Sequence, residues 1–150
     1  MYKKIKNLIT IDEVYAHCDV PCGLYDPQAA LMAANTVRVM VKQIRDIEKS
    51  DQYLATPASI QIQNDLTRRI LTKEQHAELC KKEVLILWTD YFKEEDLSTV
   101  PNLHEEIWKT VKLCSYNKQN VDAEKAEELY SQVELIADMF NKVVEQRKSK

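Results

Sequence analysis

The sequence predicts an all-α protein, an antiparallel four-helix bundle with an N-terminal metal-binding loop. Three observations predict it. Glycine occurs once and proline four times in 150 residues, while charged residues make up 30%, a composition that favours uninterrupted helix over turns and strands. Apolar residues recur every three to four positions in four successive blocks, which is the helical period. No block shows sustained strand alternation; Val84-Leu85-Ile86-Leu87 could be a strand in isolation, but its flanks are helical. A chain of this length forms one domain that buries about two-thirds of its unfolded surface.

Taken in order, the chain starts with Met1-Tyr2-Lys3-Lys4, and Val14-Tyr15-Ala16 has the small-residue ending of a cleavage site. Lys6, Asn7, Asp12 and Glu13 interrupt the apolar stretch that a secretory signal needs. The segment therefore reads as a non-secretory leader, and the protein as cytoplasmic. No run approaches the about 20 apolar residues of a membrane span. A net charge of −3 argues against a nucleic-acid partner.

The first helix is expected from an Asp26 cap and Pro27 at its first position to about Glu48, with Ala30, Ala34, Val37, Val41, Ile44 and Ile47 inward. Thr56-Pro57 repeats that signal, and a second helix should run from Ala58 to about Phe92, whole or broken at Thr72, where Gln75 gives capping-box spacing. Its apolar positions are Ile60, Ile70, Cys80, Val84, Leu87 and Trp88. Val100-Pro101 opens a third helix with Leu103, Ile107, Val111 and Cys114. Asp122 caps a fourth with Ala126, Leu129, Val133, Ile136, Phe140 and Val143. Loops are expected around Ser50-Asp51 and from Glu94 to Thr99. Such helices with short connections make a bundle.

The chemistry concentrates in His17-Cys18-Asp19-Val20-Pro21-Cys22-Gly23. Gly23 is the chain's sole glycine and follows the second cysteine directly, where the backbone needs positive φ or close approach. Mixed nitrogen and sulfur donors suit zinc, copper, nickel or iron. The spacing is wider than CxxC, with no second pair downstream, and one loop falls short of a closed structural zinc site. A cut between Ala16 and His17 changes the donor set. The freed His17 amine and the Cys18 amide nitrogen close one chelate ring, the Cys18 amide and sulfur a second, and the Cys22 sulfur completes a square plane. The His17 imidazole can then reach an axial position. That geometry belongs to Ni(II) or Cu(II).

The stretch from His17 through Cys22, Gly23, Leu24 and Tyr25 to Asp26-Pro27 resembles the nickel hook of nickel-dependent superoxide dismutases, a highly specific motif. Leu87-Trp88-Thr89-Asp90-Tyr91-Phe92-Lys93 and Pro101-Asn102-Leu103-His104 also resemble that family, and the likeness extends from His17 to the last helix. The resemblance implies dismutation of superoxide at one nickel per subunit, ligated by His17, Cys18 and Cys22. It implies a propeptide, residues 1–16, removed from the domain of residues 17–150 by a peptidase cutting after Ala16, and assembly as a homohexamer. Tyr25 would line the substrate approach to nickel. Asp19 serves the turn, with substrate contact as its second reading. Thiolate and deprotonated amide donors push electron density onto the metal and make Ni(III) accessible.

Two positions depart from the family as it is best known. A glutamate of the first helix and an arginine of the second buttress the axial imidazole there; this chain has Ala33 and His76. His76 reads as a substitute buttress or a solvated helix residue. His104 reads as structural or solvated. Trp88, Tyr91 and Phe92 read as core or subunit-interface residues. Cys80 and Cys114 read as small buried hydrophobes. The alternatives to a dismutase are a helical nickel or copper carrier without turnover, and a thiol redox protein using Cys18 and Cys22 without metal.

Overall fold

The computed structural model of the protein describes residues 24–54 and 59–149. The elements run in the order α1 (Gln28–Glu48), a single turn α2 (Asp51–Leu54), α3 (Ile60–Ile86), a π-helical turn (Leu87–Tyr91), a 3-10 turn (Glu94–Ser98), α4 (Leu103–Gln119) and α5 (Ala123–Lys148). The four long helices form the bundle: α1 packs on α3 and α5, and α4 on α3 and α5.

Local chemistry sets most of the boundaries. Asp26 Oδ1 accepts from the Gln28 amide at 2.7 Å, with Pro27 already at helical φ. Asp122 Oδ1 accepts from the Glu124 and Lys125 amides at 3.0 and 3.1 Å and starts α5. Ser50 closes the α1–α2 corner: its hydroxyl donates to the Ile47 carbonyl and accepts from the Tyr53 amide. α3 departs from expectation at its start. Ser59 is its cap, accepting from the Ile62 amide at 3.3 Å; Thr56 and Pro57 lie outside the described residues. Nothing breaks α3 at Thr72, whose hydroxyl donates back to the Arg68 carbonyl at 2.9 Å. That side chain is spent on its own helix and cannot start a new one.

The core follows the helical stripes. Ala30, Ala34, Val37, Val41 and Ile44 of α1, Cys80, Val84 and Leu87 after α3's midpoint, Leu103, Ile107 and Cys114 of α4, and all six expected α5 positions are buried. Each fully buried Val, Leu or Ile contributes about 1.5–3 kcal/mol of transfer free energy. Of the other expected positions, Ile47, Ile70 and Val111 are half-buried, Trp88 is exposed, and Ile60 is 81% exposed because it opens α3 ahead of the helix's packed portion.

Three charged side chains are buried outside the stripes, Lys73, Glu83 and Asp96. Lys73, 1% exposed, sends its ammonium to the carbonyls of Asn117, Lys118 and Asn120 at 2.5, 2.8 and 3.0 Å. It thereby caps the C-terminus of α4, where the helix dipole favours a cation. Burial holds this ammonium below its ordinary value, with Glu74 opposing. Asp96 in the 3-10 turn is buried as well. The expected Glu94–Thr99 loop is thus a packed turn, tied by the Lys93 amide donating to Asp96 Oδ2 at 2.8 Å.

Candidate metal centre

The expected donors His17, Cys18 and Cys22, together with Asp19, lie outside the described residues. Among the described residues no group of three or more His, Cys, Asp or Glu side chains could hold a metal ion. The described chain begins at Leu24, two positions after Cys22, and runs directly into Tyr25 and the Asp26 cap.

Tyr25 is half-buried against an aromatic cluster. Its ring meets that of Tyr91 at 5.6 Å between centroids, tilted by 54°. Tyr91 in turn packs on Phe140 of α5 at 4.2 Å and on Phe92 at 5.3 Å. The π turn delivers Tyr91 to this place. The Phe92 amide donates to the Leu87 carbonyl at 3.1 Å, and the widened turn changes the direction of the side chains that follow α3. Such single π turns are frequent at functional sites. Behind the cluster, Arg147 stacks its guanidinium over the Tyr91 ring at 4.5 Å. One of its nitrogens donates to Asp96 Oδ2 at 2.6 Å and to the Tyr91 carbonyl at 3.2 Å. Burial pushes the Tyr91 phenol above its ordinary value, and the Arg147 charge pulls partly the other way.

Of the residues singled out from sequence, Tyr25, Tyr91 and Phe92 are brought together. Trp88 is not part of the core: it is 37% exposed and donates its indole N–H to His104 Nδ1 at 2.9 Å. Ala33 is buried in the core and offers no polar group. His76 turns its Nδ1 to the Thr72 carbonyl of its own helix at 2.9 Å. Cys80 and Cys114 are buried and free. Their thiols hydrogen-bond each other, and that bond together with burial pushes the Cys80 thiol well up, which suits small core residues and not reactive thiolates. Asp96 and Arg147 were not singled out. Asp96 reads as one of several loop acids and Arg147 as part of a solvated terminus; an acid flanked by Leu97 and Val100 was the only trace.

A groove of about 790 Å³ runs beside Tyr25 between α1 and α5. Asp26, Glu134 and Asp138 line it and no Lys or Arg does, so it disfavours a small anion.

The donor types within residues 17–22, two thiols, an imidazole and backbone nitrogen, would suit nickel, which takes mixed nitrogen and sulfur ligands. The comparisons agree with that fit. The family described as nickel-containing superoxide dismutase matches residues 12–143. A superoxide dismutase [Ni] of Streptomyces coelicolor is 34% identical over 126 residues, covering 82% of this chain and 86% of that protein. One from Streptomyces seoulensis is 33% identical over 127 residues, covering 83% and 87%. The solved structure of a native nickel superoxide dismutase superposes with a TM-score of 0.72 at 31% identity, covering 86% of this chain and 99% of that one. The chain belongs to the nickel-containing superoxide dismutase family.

Proposed function

We propose that this chain is the precursor of a nickel superoxide dismutase, made competent by cleavage between Ala16 and His17. The reaction converts two superoxide anions and two protons to oxygen and hydrogen peroxide. Nickel supplies the electron transfer by cycling between Ni(II) and Ni(III).

The chain's own part divides into holding the metal and admitting the substrate. His17, Cys18 and Cys22 hold the metal, with the His17 amine a donor only once it is free; as an amide in the uncut chain it is a much poorer one. Both thiols must lose protons to bind, so loading releases protons and weakens as pH falls. Asp19 serves the turn between the donors. Tyr25 lines the substrate approach, and chain connectivity supports this: three residues span at most about 11 Å, so Cys22 cannot be far from it. The observation that carries the reading is the donor set itself, which falls inside the matched span of residues 12–143.

Assembly as a homohexamer is consistent with Leu24 and Met32, which leave 80% and 68% of their surface exposed next to the Tyr25 cluster and would be covered by neighbouring subunits. Cytoplasmic residence rests on the polar interruptions in residues 1–16; no helix among the described residues is long and apolar enough to cross a membrane. Nothing favours a nickel or copper carrier without turnover over the dismutase.

The test compares uncut and cut protein, each loaded with nickel, by intact mass, metal content, sedimentation and superoxide turnover. Turnover that appears only in the form beginning at His17 is expected. Full turnover in a form that retains Met1 would refute the processing.

A further inference from the structure

We propose that Arg147 is a positioning residue for dismutation: it fixes Tyr91, and through Tyr91 the ring of Tyr25. The inference rests on the reading of Tyr25 as the residue that lines the substrate approach.

Arg147 holds Tyr91 in two ways at once. Its guanidinium lies over the ring at 4.5 Å, and one nitrogen reaches the Tyr91 carbonyl at 3.2 Å. The same nitrogen is anchored by Asp96 at 2.6 Å, whose side chain is 2% exposed. A buried carboxylate strongly resists losing the cation paired with it, and among the described residues Asp96 pairs with Arg147 alone, so the guanidinium has little freedom to leave. Arg147 Nε is buried without a partner among the described residues, which means that the stack and the carboxylate set its orientation at the expense of one donor. Tyr91 then presents a fixed surface to Tyr25 at 5.6 Å. Arg147 lies beyond residues 12–143, the span that the family matches, whereas Tyr91 and Asp96 lie within it.

Two variants separate positioning from charge balance. Arg147→Lys keeps a cation for Asp96 but lacks the flat fork that stacks on a ring and reaches two acceptors. The double variant Asp96→Asn, Arg147→Met removes both charges and leaves no unpaired carboxylate. The readout is the fluorine resonance of Tyr25 in full-length protein carrying 3-fluorotyrosine, assigned with Tyr25→Phe and recorded before nickel loading. Both variants should shift that resonance at unchanged helical content. Once cut and loaded they should retain nickel and lose about 10- to 100-fold in turnover, the scale of a small misplacement near a reacting centre. A Tyr25 resonance that coincides with the parent's in both variants, or that Arg147→Lys restores in full, would overturn the proposal. Unchanged turnover in Tyr25→Phe would instead overturn the reading of Tyr25, leaving the resonance to decide separately whether Arg147 positions it.

Discussion

Two of the buried charges, Lys73 and Asp96, are satisfied in two different ways. Among the described residues Lys73 forms no ion pair; its ammonium donates to three carbonyls at the end of α4. Asp96 has Arg147, and that pair also holds an aromatic ring. Roughly 25 Å of helix separate Lys73 from Tyr91. The first arrangement joins α3 to the end of α4. The second ends, through Tyr91, on Tyr25. A buried charge matched to backbone dipoles ties down structure, whereas one matched to a long planar side chain can hold a neighbour in place. Damage at Lys73 should therefore appear as lost stability, and damage near Tyr25 as lost turnover.

The largest effect tests the functional side of that contrast. Cys18→Ser or Cys22→Ser should abolish superoxide turnover, because a serine hydroxyl does not ionise into a soft donor. Thermal unfolding followed by circular dichroism should be unchanged. Measurable turnover in a nickel-loaded serine variant would show that the ligand set is wrong.

The structural side comes next. Lys73→Met strands three carbonyls that now share one ammonium, at a cost of about 2–4 kcal/mol. The melting temperature should fall by roughly 5–15 °C. Turnover per bound nickel, measured well below melting, should equal the parent's. A fall in that ratio would erase the division between the two regions.

Cys80 and Cys114 provide a neutral control in the same core. Replacing either by Ala should cost about 1–3 kcal/mol, as small truncations in packed sites do, and leave turnover per nickel intact. A loss of turnover in well-folded Cys80→Ala would mean that the buried thiol pair serves the metal centre after all.

The smallest effect concerns pH at the α4–α5 turn. The Lys125 backbone amide, followed by the Tyr116 hydroxyl and the Glu124 amide, holds the Asp122 carboxyl below its ordinary value. A carboxyl lowered in the folded state contributes stability that is complete above its unfolded value near 3.9 and is lost as pH falls through the lowered one. Urea midpoints of the parent should therefore decline below about pH 4. Asp122→Asn, which still caps the helix, should flatten its share of that decline. Equal slopes in the two proteins would remove Asp122 from the acid response.

What could be read from the sequence was what is local or covalent. A cap acts on amides two or three residues away, so Asp26 and Asp122 marked their helices correctly. A stripe depends only on the 3.6-residue period, and every expected α5 position is buried. The proposed donors His17, Cys18 and Cys22 sit within six consecutive residues, so their chemistry needed no fold to be proposed. The choice left open at α3 is instructive for the same reason: Thr72 carries a capping signal, yet the helix runs on unbroken and the hydroxyl bonds backward. Tertiary structure alone decided the rest. Lys73 meets Asn117 across 44 residues, and Arg147 meets Asp96 across 51. Nothing in the neighbourhood of a lysine on a helix, or of an aspartate in an acidic loop, says that it will lose its water. That is settled when α3, α4 and α5 close around one core and bring carbonyls to Lys73 and a guanidinium to Asp96.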